Sequence, residues 1–329
     1  MSYSYCAYGF SIHSSIDIPG LDADLSFPYD HHLEVESGPE PDWVKQGTSV
    51  HGRALSHLPA SGRTADPSFV LTEYGDANCF ELTYSDGTRF VITGDSGRVW
   101  GVFEPPLTNA DLATYFLGPV MGFLLRRKQV LCLHASGVEL HGSAVLFCAD
   151  TGHGKSTTAA ALALRGAAGL TEDVAPLELA KGRFWAVPGY PRICLWPDAV
   201  ANLAGHENAL PRLTPVWEKR YLALDGVLAR FAVMKLPLGL IYLIAARSDG
   251  ADTPRVEPLS PKDALLELVK NTYMNWLLNR QQRAEEFNVL GNLVQQVPVR
   301  RLVPNSNPAR IAELCQLIES DARSILVTP

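Results

Sequence analysis

The stretch Ala149-Asp-Thr-Gly-His-Gly-Lys-Ser156 constrains this chain more than any other. Ser143-Ala-Val-Leu-Phe-Cys148 precedes it, a short apolar run of strand character. Thr157 to Arg165 follows, rich in Ala and Leu and stopped by Gly166. Strand, two-glycine loop and helix in immediate succession have a physical consequence. Gly152 and Gly154 let the backbone curl so that successive N–H groups point inward, and the helix N-terminus adds partial positive charge. Such a loop is a phosphate cradle. Lys155 is placed to reach β and γ phosphates as a point charge, and the Ser156 hydroxyl to ligate Mg2+. Ala149, Asp150, Thr151, Gly152, His153, Gly154, Lys155, Ser156 and Thr157 are therefore the expected nucleotide-binding set, with the His153 side chain turned outward as a neighbour of the substrate. Ala149 stands where this pattern ordinarily has glycine, and it can serve if the residue keeps a negative φ.

A pair of carboxylates extends the constellation. Glu172-Asp173 follows Gly169-Leu-Thr171, where a second strand is expected to end beside the loop. A carboxylate there holds Mg2+ directly or through water, and its neighbour can accept a proton from an attacking hydroxyl. The plainer reading of the pair is a solvated turn or helix cap. His134 closes the apolar run Val130-Leu-Cys-Leu-His134. A histidine at a strand end near phosphate can orient or tune a carboxylate base, although a lone histidine there more often has a structural role. Arg192 and the pair Lys219-Arg220 are cations suited to clamping a phosphoryl group or an anionic substrate; surface charge is the competing reading.

The net charge of −7 and the lack of a basic stripe remove the electrostatic case for a nucleic-acid partner. A polyanion would have to be held by local cations and a divalent metal. The six cysteines form no CxxC pair and lie mostly in apolar runs, which reads as reduced core thiols of a cytoplasmic protein. The N-terminus shows no basic region leading into an apolar one, so no signal peptide is expected. Leu112–Leu125 is shorter than the ~20 residues of a membrane span, contains Pro119 and runs into Arg126-Arg-Lys128, so it is expected as a buried helix, with no membrane partner.

Along the chain, residues 1–105 read as a β-rich domain with a small antiparallel sheet, carried by the runs 69–72, 79–84 and 89–93, with a long loop over 36–68. Residues 106–329 read as the second domain. Thr108 opens an apolar helix reaching about Arg127. Strands are expected at 130–134, 143–148, 238–245 and 298–302. Helices are expected at 156–165, from Pro261 to about Leu278, and from Pro308 to about Ile318.

His134 with Gly137-Val138, the loop 149–156, Arg165-Gly166 and Glu172-Asp173-Val174 together resemble the catalytic core of HPr kinase/phosphorylase over about residues 130–180. The resemblance implies an α/β fold: a P-loop kinase core of the HPr kinase / phosphoenolpyruvate carboxykinase type with a smaller N-terminal β-rich domain. The opening Tyr5-Cys-Ala-Tyr-Gly-Phe-Ser-Ile12 and Pro188-Gly-Tyr-Pro-Arg-Ile-Cys-Leu-Trp-Pro-Asp-Ala199 are similar to the HPr-kinase-like proteins found with lasso-peptide biosynthesis genes. Those are implied to phosphorylate a serine hydroxyl at the C-terminus of the precursor peptide. The C-terminal segment that HPr kinases use for the phosphorylase reaction is not found. Carried over by position, Lys155 and Ser156 bind phosphate and Mg2+. Glu172 matches the first Asp of the family's pair, the general base, Asp173 the second, on the metal side, and His134 the residue that assists the base. Arg192 would stabilise the transferred group. Glu172 in place of Asp shifts the base by a methylene, and about 1 Å of misplacement can cost about 10²-fold in rate.

The expectation is a Mg–ATP-dependent kinase of a serine hydroxyl, most readily that of a lasso precursor peptide. Rival readings are a non-catalytic nucleotide sensor or peptide chaperone, a kinase of another acceptor such as HPr, a sugar or a small metabolite, and an ATPase that uses water. The sequence leaves open the base preference, the number of phosphates added and whether the chain forms a homo-oligomer.

Overall fold

The computed structural model describes residues 2–26, 29–58, 68–75 and 78–327. The fold is mixed α/β, and the chain divides into two compact units, Met1–Lys128 with Arg212–Lys219, and Gln129–Pro211 with Arg220–Pro329. The sequence draws its boundary after residue 105. In the structure the first unit continues through an apolar helical segment to Lys128 and takes in a later excursion of the chain.

The first unit is built on eight strands, β1 (Tyr3–Ala7), β2 (Phe10–Ser14), β3 (His31–Ser37), β4 (Gly52–Leu58), β5 (Phe69–Tyr74), β6 (Cys79–Tyr84), β7 (Arg89–Thr93) and β8 (Arg98–Val102), paired in the order β1-β2-β3-β8-β7-β6-β5-β4. The expected sheet was small and antiparallel. Here β2–β3 and β3–β8 pair in parallel, because long connections rather than hairpins join them. The expected loop over 36–68 contains helix α1 (Asp42–Thr48) and β4; its residues 59–67 lie outside the described residues. Period-two burial is clean on β3, where Leu33 and Val35 are buried between exposed His32 and Glu34.

Thr108 caps α2 (Asn109–Tyr115) through a capping box with Asp111. The helix then loosens into a π turn over Phe116–Val120 before α3 (Met121–Arg127). Pro119 sits in that turn; proline has no N–H and its ring crowds the carbonyl four residues back, and the wider turn relieves both. Phe116, Leu117, Phe123 and Leu124 are buried, as the apolar composition requires.

The second unit centres on a nine-stranded sheet, from β9 (Leu131–Leu140), β10 (Ser143–Cys148), β11 (Ala168–Thr171), β12 (Val174–Ala180), β13 (Arg183–Ala186), β16 (Arg230–Phe231), β17 (Leu236–Ile244), β18 (Arg255–Pro258) and β19 (Val299–Val303). β14 (Arg192–Leu195) and β15 (Arg220–Ala223) form a separate ribbon. β10, β17 and β19 run parallel, and β9 runs antiparallel to β10, β11 and β12.

Alternation along β10 explains the layers. Val145 and Phe147 enter one core with Ala159–Ala163 of α4 (Lys155–Leu164) and with Leu314 and Ile318 of α8 (Ile311–Leu326). Ala144, Leu146 and Cys148 enter the other core, with Leu268 of α6 (Pro261–Lys270) and Leu290 and Leu293 of α7 (Arg280–Gln296). A strand apolar on both faces needs helices on both faces. α4 ends where Gly166 takes φ +108, with Ala167 N–H bonding Leu162 O and Gly166 N–H bonding Ala163 O, the paired bonds of a Schellman cap. The remaining helix, α5 (Pro197–Ala204), follows β14.

The long helix expected over 261–278 stops at Lys270, and α7 was not anticipated. Only Leu290 and Leu293 of α7 are buried, so its apolar stripe is too thin to announce it. All six cysteines are free thiols, four of them buried. Among the described residues no helix is long and apolar enough to cross a membrane.

Candidate functional site

β10 delivers the chain at Cys148 into a loop that ends at the first turn of α4. Ala149 is buried with a negative φ, the condition under which alanine can occupy the first glycine position. Gly152 (φ +86) and Gly154 (φ +98) are both left-handed. A Cβ on Gly152 would meet nothing within 4 Å, so its backbone conformation and not lack of space calls for glycine. Gly154 is the N-cap of α4, and Thr158 N–H bonds its carbonyl. Asp150 and Thr151 are exposed on the loop, and His153, Gly154 and Thr157 border a crevice on its far side.

Lys155 is 7% exposed, and its side chain folds back over the loop. Its ammonium donates to Ala149 O at 2.8 Å and to His134 Nε2 at 2.9 Å. Burial depresses its pKa, opposed by the negative charges of Asp173 and Glu172. Because the ammonium can only donate, Nε2 of His134 must accept, which puts the ring proton on Nδ1. That Nδ1–H faces Asp173 Oδ1 at 3.2 Å. A donor chain therefore runs Lys155 → His134 → Asp173, with Tyr273 Oη donating to the other oxygen of Asp173 at 3.3 Å.

Asp173 sits at an unusual turn. Its φ is +62, and Val174 N–H closes onto Glu172 O at 2.7 Å, two residues back. A non-glycine residue held there costs on the order of 1–3 kcal/mol. The turn is anchored on both sides, since Thr171 Oγ1 donates to Val174 O and Ala135 N–H to Asp173 O. Its effect is to send two adjacent carboxylates to different environments. The Asp173 side chain is 42% exposed. Glu172 is buried, and both its oxygens are occupied: Oε1 accepts from Ser156 Oγ at 2.7 Å and Oε2 from Ser136 Oγ at 2.8 Å. Burial pushes its pKa up to about 7; the two hydroxyl bonds oppose that rise, and the Asp173 charge adds to it.

Of the residues singled out in the sequence, the structure brings together His134, Lys155, Ser156, Glu172 and Asp173. It pairs His134 with Asp173, where the sequence reading paired it with Glu172. The Arg192 guanidinium stacks 4.1 Å over the Tyr221 ring across the β14–β15 ribbon. Arg220 is buried and donates to Asn208, and the Lys219 ammonium lies 5.8 Å from the Trp217 ring centre. Three residues escaped sequence reasoning. Ser136 was readable, being two positions beyond His134 on one strand and so on the same face. Tyr273, after α6, and Arg247, after β17, carry no local signal. A Cβ on Gly154 would lie 3.8 Å from Arg247 Nη2.

Among the described residues no group of three or more His, Cys, Asp or Glu side chains converges as a metal cage. A hydroxyl and a carboxylate side by side, as in Ser156 and Glu172, nonetheless fit Mg2+, which takes one or two protein oxygens and completes its shell with water and phosphate oxygens.

No protein-family model matches the chain, and no curated protein matches it. Among solved structures, the Hpr(Ser) kinase/phosphatase from Coxiella burnetii is similar at 14% identity over 59% of this chain and 91% of that one, with a TM-score of 0.32. That likeness is weak, and the functional reading rests on the geometry of the site.

Proposed function

We propose that this chain is a phosphotransferase that moves the γ-phosphoryl group of Mg–ATP to a serine hydroxyl. The observation that carries the reading is the donor chain Lys155–His134–Asp173 beside the buried Ser156–Glu172 pair, all at the mouth of a two-glycine loop that opens a helix. Loop N–H groups and the α4 N-terminus offer the charge complement of a polyphosphate. Lys155, bonded here to Ala149 O and His134, would exchange those bonds for phosphate oxygens.

Geometry favours exchanging the carboxylate roles drawn from the sequence. Glu172 is buried and already accepts from two serine hydroxyls, so it is the poorer acceptor for an incoming hydroxyl's proton. Ser156 with Glu172 would hold Mg2+, which when bound supplies charge neutralisation to the transferring group. Asp173 is exposed, oriented by His134 Nδ1–H and Tyr273, and suits the base. In the step, the acceptor Oγ forms a bond to Pγ, the bond from Pγ to the β-γ bridging oxygen breaks, and the hydroxyl proton passes to Asp173. His134 holds the carboxylate for that transfer. Arg192, whose guanidinium stacks on Tyr221, is the cation that would stabilise the transferred group.

The acceptor reading comes from the segments 5–12 and 188–199, whose resemblance favours the C-terminal serine of a lasso precursor peptide. The test is mass spectrometry of peptides ending in serine, incubated with the protein, ATP and Mg2+ beside a Lys155→Ala control. A gain of phosphate mass that the control lacks is expected. No gain on any such peptide, with ATP binding shown in the same sample, would overturn the peptide-kinase reading.

A further inference from the structure

Three parallel strands, β10, β17 and β19, end along one edge of the second unit's sheet, and the segments that follow them meet. These are the loop and first turn of α4, Arg247 after β17, and residues 304–311 leading into α8. In open α/β sheets, ligands lie in the crevice outside the carboxyl ends of the strands. A crevice is present here. It is open to solvent on one side and is bordered by His153, Gly154, Thr157, Arg247 and Ile311.

We infer that this crevice receives the nucleoside of the triphosphate, so that the donor is a nucleotide and not pyrophosphate or a longer inorganic polyphosphate. The inference rests on reading the loop before Lys155 as a phosphate cradle. Helical geometry gives the direction. Residues of an α-helix turn by about 100° each, so Gly154, Thr157 and Thr158, which line the crevice, share one face of the first turn. Lys155 and Ser156 point away from it, toward His134 and Glu172. With the terminal phosphates and the metal on the Lys155–Ser156 side, the opposite face is where the other end of the ligand emerges.

The lining suits a nucleoside. Leu203, Pro304 and Ile311 supply apolar wall for a planar ring, and the Asn202 side-chain amide, exposed at the rim, offers a donor and an acceptor for its edge. Among the described residues Arg247 has no ion-pair or hydrogen-bond partner, and it stands beside Gly154, where the α-phosphate and ribose would pass. His153 Nδ1 is buried against this crevice with no hydrogen-bond partner among the described residues, a polar atom that a bound hydroxyl would satisfy.

The test is calorimetric titration of the full chain with ATP and with tripolyphosphate, each with Mg2+, for wild type, Asn202→Trp, Arg247→Ala and Lys155→Ala. Both crevice positions are exposed, and unchanged thermal melting checks that their variants fold. Wild type should bind ATP at least about tenfold more tightly than tripolyphosphate. Asn202→Trp, which fills the crevice, should weaken ATP by about tenfold and leave tripolyphosphate within about twofold. Arg247→Ala should weaken ATP and leave melting unchanged. Equal affinity of wild type for the two ligands, or an Asn202→Trp that spares ATP or weakens both ligands alike, would overturn the placement. Lys155→Ala should weaken both ligands. If it weakens neither, or wild type binds neither, the phosphate-loop reading falls and the crevice assignment falls with it.

Discussion

Replacing Glu172 by Gln should make the second unit more stable at alkaline pH while ending phosphoryl transfer. The carboxyl is buried, and its pKa lies near 7 in the fold against a usual 4.5. Between those values the folded chain retains a proton that the unfolded chain has released, so stability falls as pH rises across that window. Below about pH 4.5 the stabilising contribution is fully present; above about pH 7 it is gone. The span of roughly 2.5 units at about 1.4 kcal/mol each gives a cost on the order of 3 kcal/mol at pH 8. Glutamine is isosteric and can still bond both Ser136 and Ser156, with one hydroxyl turned to accept. At pH 8 it should therefore recover most of that cost, and at pH 4.5 little of it. For a unit of this size about 2–4 °C accompanies each kcal/mol, so melting should rise by roughly 6–12 °C at pH 8. Scanning calorimetry of both proteins at pH 4.5 and 8, free of metal and nucleotide, reads the difference directly. An equal shift at both pH values, or a lower melting temperature for the variant at pH 8, would refute the reasoning. A natural residue that destabilises its own fold where the chain works points to function.

Asp173→Asn should lower the rate of transfer by about 10²–10⁴-fold, the usual worth of a positioned base, with ATP affinity nearly unchanged in titration. Asp173→Gly should lose the same activity yet melt higher by the equivalent of about 1 kcal/mol, because glycine adopts φ +62 without strain. Gly169→Ala should destabilise by about 1–3 kcal/mol in denaturant titration, since its Cβ would fall 2.5 Å from Leu224 Cδ1 on a buried strand.

The loop from Ala149 to Ser156 was legible because everything that defines it is contiguous: an apolar strand, glycines where left-handed φ is needed, and an Ala-rich helix. The pairing of the carboxylates was not legible. Adjacent residues in a regular strand point to opposite faces, but nothing in Glu172-Asp173 announces the reversal at φ +62 that buries one and exposes the other. Tyr273 and Arg247 reach the site from loops about a hundred residues further along the chain, and their relevance is a product of strand order alone. α7 was missed for a different reason: its capping box, Asn279 with Gln282, was present in the sequence, but two buried leucines make no stripe. The separation of β2–β3 from hairpin geometry likewise depends on connections whose path no short-range pattern records.

β9 acts as a ruler. His134 and Ser136 stand two positions apart on it, so alternation gives them one side of the sheet, and the partner chain turns between Val174, paired with His134, and Thr171, paired with Gly137. The spacing of the two hydroxyl and imidazole groups is thus copied onto the two carboxylates opposite. A slip of a single residue would carry both to the far side of the sheet together. A shifted frame would therefore break the imidazole–carboxylate and hydroxyl–carboxylate contacts as a pair, leaving no arrangement that keeps one and loses the other.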